Sequence, residues 1–192
     1  MKNTVPVEVS ARHVHLSQEH IDILFGKGHQ LTPVKELSQP GQFLSEERVT
    51  IIGPKKTMER VGVLGPARKE SQVELSLTDC FSIGIKNAPV RESGVIDGTP
   101  GVTLKTDLAE IQLDKGVIVA KRHIHMTTAD AAEFGLADKD IVGVEVKCGD
   151  RAITFGDVVV RVNDTYALAM HIDTDEANAG CISGDVTGTV IK

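Results

Sequence analysis

The sequence predicts a mostly β protein, built as two related β-barrel domains with short capping helices that arose by internal duplication. Three observations predict it. Short runs rich in Val, Ile and Thr, each ended by Gly, Pro or Asp, recur along the chain, which is the pattern of sandwiches and barrels. Helical signals are confined to two short stretches. The phrase SARHVHLS at residues 10–17 returns as AKRHIHMT at residues 120–127, and one of those helical stretches follows each copy.

In chain order the expected strands are RVTIIG, ERVGVLG, QVELSL, VTLKT, GVIVA, IVGVEV, RAITFG, VVVRV, YALAMHI and TGTVIK, with a further strand before the first RHxH phrase. The first helix, SQEHIDILFG, opens on Ser17 as N-cap and closes at Gly26. The second, TTADAAEFG, pairs Thr127 with Asp130 as a capping box and stops at Gly135. Both halves therefore read as strand, RHxH, a helix of about two turns and paired strands. The spacing from His13 to His123 is too long for a solenoid repeat, so two domains are expected, at 1–90 and 91–192, with strands free to cross over. KNAPVRESGVIDGTPG, residues 86–101, carries two Pro and four Gly or Ser and reads as the linker.

Composition narrows the function. With 192 residues, 41% hydrophobic and 25% charged, the chain has the balance of an ordinary folded protein. No apolar run approaches a spanning helix, and MKNTVPVEVS has neither the basic start nor the apolar core of a signal peptide, so no membrane association and a cytoplasmic location are expected. Cys80, Cys148 and Cys181 are odd in number and outside any CxxC, which predicts buried thiols and no disulfide framework. A net charge of −6, no Trp, one Tyr and five Phe argue against nucleic acid as a partner. A small-molecule partner is expected instead.

On an extended strand His13 and His15 share a face at about 6.6 Å between Cα atoms, as do His123 and His125. Such a pair is either two polar residues facing solvent or two imidazoles closing on one metal ion, and a second copy at the matching point of a duplicated unit favours the metal. If the barrels are related by an approximate two-fold, four nitrogen ligands meet at the interface, and zinc is the default ion for transfer or hydrolysis without redox. His20 and His29 have no counterparts in the second half and are expected at the surface. His171, at the end of the apolar run YALAMHI, is either a further site residue or a satisfied half-buried histidine. Glu74, between Val73 and Leu75, points either to solvent or to the metal site. Residues 54–69 hold five basic side chains and one acid, a local patch suited to an anionic small molecule. Within it Arg68 either recognises phosphate or carboxylate through its permanently charged fork or merely caps a turn.

Four motifs in order, VSARHVHLS, VLGPARKESQVELS, AKRHIHMT and ALAMHIDTDEANA, closely resemble the PduL-type phosphotransacylase family. These are the phosphate propanoyltransferases, which interconvert acyl-CoA plus phosphate with acyl phosphate plus CoA. The resemblance covers nearly the whole chain. It implies two β-barrel domains and a two-zinc site between them. His13, His15 and Glu74 would hold one ion, His123, His125 and His171 the other, and Arg68 would bind phosphate. For coenzyme A it implies contacts at Val9, Ser10, Ala11, Lys55 and Asn178. Two departures stand out: a position usually basic in the family is Gly62, and only nine residues precede Ser10, where compartment-packaged relatives carry a leader helix. A homodimer is expected.

The expected chemistry is direct attack of a phosphate oxygen on the thioester carbonyl, because no Cys or Ser sits beside a histidine in a way that demands an acyl-enzyme. The alternatives are a zinc-dependent acyl-CoA hydrolase with water as nucleophile, and a non-catalytic module in which zinc staples two barrels.

Overall fold

The computed structural model describes residues 2–191. The first elements are strands β1 (Thr4–Ser10) and β2 (His13–His15), helix α1 (Gln18–Phe25), and strands β3 (Pro33–Glu36), β4 (Phe43–Ile52), β5 (Thr57–Gly65) and β6 (Gln72–Glu74). Helix α2 (Leu77–Ile83) is followed by β7 (Val90–Arg91), β8 (Val102–Lys105), β9 (Glu110–Leu113), β10 (Val117–Ala120) and β11 (His123–Met126). Helix α3 (Thr128–Phe134), strands β12 (Ile141–Val146), β13 (Ile153–Val162) and β14 (Ala169–Asp173), helix α4 (Thr174–Ala179) and strand β15 (Val186–Ile191) complete the chain.

These elements form two compact units. The barrel unit comprises residues up to Ala11, residues 38–40 and the chain from Lys121 onward. Its strands close in the order β1-β14-β11-β13-β12-β15, around a core that includes Ile124, Met126, Phe134, Val144, Val160 and Met170. The sheet unit comprises residues 12–37 and 41–120. Its curled nine-stranded sheet runs β7-β10-β6-β2-β5-β4-β8-β9, with β3 added to β4, over a second core that includes Val14, Leu16, Leu24, Ile51, Val63 and Leu104. The mostly β, barrel-forming architecture agrees with the sequence.

The units do not follow a cut at residue 90. The strand before each RHxH phrase takes its parallel partner from the other half of the sequence. β1 pairs with β14 from Val7↔Met170 to Ser10↔Asp173, and β10 pairs with β6 through Val117↔Val73 and Ile118↔Glu74. Residues 86–101 lie inside the sheet unit. Their Pro and Gly content reflects tight turns rather than a free tether. Ile96 and Thr99 are buried, and Thr99 Oγ1 accepts a hydrogen bond from the Gly116 amide at 2.8 Å.

Both expected helices are present with their caps. The Ser17 hydroxyl accepts from the His20 amide, Thr127 and Asp130 form the reciprocal capping box, and Gly135 ends α3 at φ 62, a left-handed turn natural to glycine. Two further helices depart from the expected pattern. QVELSL stops being a strand at Glu74, because Ser76 caps α2 by accepting from the Asp79 amide. Asp173 and Glu176 form a capping box for α4 where the sequence reads as an acidic turn. RAITFG and VVVRV are one strand, β13, whose pairing with β12 shifts register between Phe155 and Val158, where Asp157 takes φ 51. Only Cys80 of the three free cysteines is buried; Cys148 is half-buried and Cys181 exposed. Among the described residues no helix is long and apolar enough to cross a membrane.

Candidate metal centres

Each RHxH phrase is a short central strand. Val14 and Ile124, fully buried between the paired histidines, each contribute about 1.5–3 kcal/mol by that burial, and strand alternation then turns His13 and His15, or His123 and His125, to the opposite face. The third member of each group lies directly across an antiparallel ladder. His13 pairs with Glu74, and His123 pairs with His171. His13, His15 and Glu74 thus form one group and His123, His125 and His171 another, with one potential ligand atom from each residue lying within 4.8 Å of the others.

The same anchor braces both groups. Arg12 grips Asp79 through Nε–Oδ2 at 3.0 Å and Nη2–Oδ1 at 2.9 Å, and Arg122 Nη1 meets Glu176 Oε1 at 2.8 Å. In both units that acid is the third residue of a helix whose N-cap, Ser76 or Asp173, lies two positions after Glu74 or His171. The arginine of the phrase therefore ties the ligand strand to the helix that follows its partner strand. Neither short helix is anticipated by periodicity, although Ser76-x-x-Asp79 and Asp173-x-x-Glu176 carry the capping signal.

The geometry fits a metal ion. His13 Nε2 lies 3.5 Å from Glu74 Oε2, and His15 Nε2 lies 3.6 Å from Oε1. That is long for a hydrogen bond, yet two ligands of a tetrahedral zinc at about 2.0–2.1 Å stand roughly 3.4 Å apart. Nδ1 of His15 and Nδ1 of His125 are buried without a hydrogen-bond partner, a cost of about 1–3 kcal/mol each that coordination of the ring would help to offset. His123 Nδ1 lies 2.8 Å from the Lys121 carbonyl. A carbonyl can only accept, so the proton sits on Nδ1 and Nε2 keeps its electron pair for a metal.

Protonation states agree. Burial pushes His15 down to about 4 against the pull of Glu74, with His13 and Arg68 adding to the downward push. His125 is pushed to about 2 by burial and by His123, His171 and Arg161. Burial alone would raise the Glu74 carboxyl, but the His13 and His15 imidazoles outweigh it and hold it well below the usual range. Neutral imidazoles and an ionised carboxylate are the forms that bind metal. In the metal-free protein the unfolded chain protonates His15 near its ordinary 6.5, whereas the folded chain resists until about 4. The stabilisation is complete above about pH 6.5 and is lost as the pH falls, about 3 kcal/mol by pH 4 from this residue. Urea midpoints of chelator-treated protein at pH 7, 5.5 and 4 are expected to fall in that order.

Arg68 is placed beside this first group. Its amide donates to the Leu16 carbonyl at 2.8 Å, which seats it at the end of β2. Its Nη1 donates to Ser93 Oγ at 3.0 Å. The same hydroxyl accepts from Gln72 Nε2 at 2.9 Å and donates to Glu74 Oε1 at 2.8 Å, while Gln72 Nε2 also donates to that oxygen at 2.6 Å. One serine thus joins the guanidinium to the candidate ligand. No motif in the sequence marks Ser93, and Gln72, although inside VLGPARKESQVELS, is not singled out there. In the second group Tyr166 is likewise unmarked; its ring lies 4.1 Å from that of His125.

The remaining expected residues separate by unit. Val9, Ser10 and Ala11 end β1, where Ser10 pairs with Asp173, the cap of the helix that carries exposed Asn178. Lys55, in the sheet unit, lies over the Phe81 ring at 5.3 Å. Gly62 lies between His13 and Arg48 in the sheet, and a Cβ there would stand 2.9 Å from Leu44 Cδ1. His20 and His29 are half-buried on Ser71 and Glu47.

Residues 6–183 match the family model described as phosphate propanoyltransferase. The chain belongs to the phosphate propanoyltransferase family. A phosphate propanoyltransferase of Leptotrichia buccalis is 55% identical over 99% of this chain and 89% of its own. That of Thermotoga maritima is 55% identical over 94% and 86%, and that of Clostridioides difficile 53% identical over 98% and 89%. The family resemblance of the four motifs is therefore correct, and the protein is an acyltransferase.

Proposed function

We propose that this phosphate propanoyltransferase-family protein moves a short acyl group, propanoyl or acetyl, between coenzyme A and inorganic phosphate, with one zinc ion held by each histidine group. The observation that carries this reading is the link from Arg68 through Ser93 to Glu74. It supports the reading because a permanently charged fork of a kind suited to phosphate lies next to residues able to hold a metal.

The chain's own residues divide the work. Arg68 binds phosphate and offsets its charge, so that one oxygen can approach the thioester carbon. Ser93 holds the guanidinium in position. The new C–O bond forms as the C–S bond breaks, and coenzyme A leaves through sulfur. Val9, Ser10, Ala11, Lys55 and Asn178 bind coenzyme A. Zinc held in these groups would supply Lewis acidity and positive charge to the reaction. His13, His15 and Glu74 hold one ion, and His123, His125 and His171 the other. The matching registers, caps and arginine anchors of the two groups support duplication of one ancestral unit.

The test is a phosphate titration with propanoyl-CoA, following CoA release and acyl phosphate together. Both are expected to rise with phosphate in equal amounts; CoA release that ignores phosphate would mean a hydrolase and overturn the reading. Ser93→Ala is expected to lower kcat/KM for phosphate by about 10–100-fold with zinc retained, measured by steady-state rates beside metal analysis.

A further inference from the structure

The two histidine groups differ in where they find a carboxylate. In the sheet unit the third member is itself one, Glu74, and the residue facing it across the parallel ladder is Ile118. In the barrel unit the third member is His171, and the residue facing it across the corresponding parallel ladder is Glu8. Glu8 Oε2 lies 3.6 Å from His171 Nδ1, and it accepts a hydrogen bond from Ser38 Oγ at 2.5 Å. Ser38 and its neighbours 38–40 belong to the barrel unit although the flanking chain does not.

The other face of His171 decides which nitrogen carries the proton. Gln39 is buried, and its amide is clamped on Ala167, donating to that carbonyl at 2.9 Å and accepting from that amide at 3.3 Å. This leaves the Gln39 nitrogen, a donor, 3.5 Å from His171 Nε2. A donor at that distance is a weak partner, but it favours a lone pair on Nε2 and the proton of the neutral ring on Nδ1, toward Glu8, and a metal at Nε2 would take its place. A ligating histidine commonly gives its second N–H to a carboxylate, which fixes its tautomer and strengthens its basicity.

We propose that Glu8, steadied by Ser38, is the positioning carboxylate of the all-histidine group: it faces Nδ1 of His171 at ion-pair distance, favours the proton there and so leaves the Nε2 lone pair for the metal. The proposal rests on the reading of each histidine group as a zinc site. Each group then has one carboxylate, as a ligand in the sheet unit and behind a ligand in the barrel unit. It also gives a purpose to residues 38–40, which bring both Ser38 and Gln39 to the barrel unit.

The experiment uses the full-length chain loaded with zinc, competed with a chromogenic chelator to resolve two affinities, for wild type, Glu8→Gln and Ser38→Ala. Glu8→Gln is expected to weaken one zinc site by about 10–100-fold and leave the other unchanged, and Ser38→Ala to weaken the same site by less. Imidazole nitrogen chemical shifts are expected to show His171 as the Nδ1–H tautomer in wild type and a loss of that preference in Glu8→Gln, a change that general destabilisation would not produce. Two unaltered zinc affinities in both variants overturn this proposal alone. A wild-type chain that takes up no zinc overturns the zinc reading, and this proposal with it.

Discussion

Arg68→Ala is expected to lower phosphate-dependent turnover by about 10²–10³-fold, the scale on which one preorganised electrostatic contact acts at a reacting centre. The expected result follows from position as well as charge. The guanidinium is held by Ser93 and lies close enough to His15 to bias its protonation. No other residue type offers the same permanently charged planar fork. Arg68→Lys keeps the charge and loses the fork, so partial recovery at high phosphate is expected from it and none from alanine. Zinc content is expected to stay at the wild-type level in both, because the carboxylate of Glu74 keeps its hydrogen bond from Gln72. Steady-state rates and metal analysis on the same samples check this, and near-normal turnover in Arg68→Ala would remove phosphate binding from its role.

His123→Ala is expected to produce the second large loss. It removes one of three nitrogens from the barrel unit's group and leaves the sheet unit's group intact, so zinc is expected to fall from two ions per chain to one. The affinity loss exceeds the roughly 10–100-fold typical of residues that only orient a ligand, because a ligand itself is gone. His15→Ala is expected to empty the other site instead, and combining the two yields a zinc-free chain. Turnover is expected to fall to background in all three. Metal analysis after gel filtration distinguishes this pattern from a single shared site, in which either replacement would release all the metal.

What can be read from the sequence follows the range of the interactions involved. The RHxH strands are legible because alternation is local: buried Val14 and Ile124 declare the core face, and the histidines must take the other. Helices α1 and α3 are legible because caps and glycine stops lie within ten residues of one another. The pairing of β1 with β14 is not, since no local pattern tells a strand that its partner lies in the opposite half of the chain. Glu74 and His171 are ambiguous to local pattern for the same reason: only the family resemblance implies them as ligands, and the ladder sets each directly across from His13 or His123. Ser93 is hidden by its surroundings: a stretch of Gly, Pro and Asp looks like a tether until its turns are seen to deliver one hydroxyl to Arg68, Gln72 and Glu74. Helices α2 and α4 are short enough that their capping residues are the only signal.

The decisive experiment is a zinc titration of chelator-stripped protein, assayed for acyl phosphate formed from propanoyl-CoA and phosphate. Negligible turnover is expected without metal, with full activity reached at two zinc ions per chain. Full phosphate-dependent turnover by protein shown to contain no metal would contradict a metal-binding role for both histidine groups.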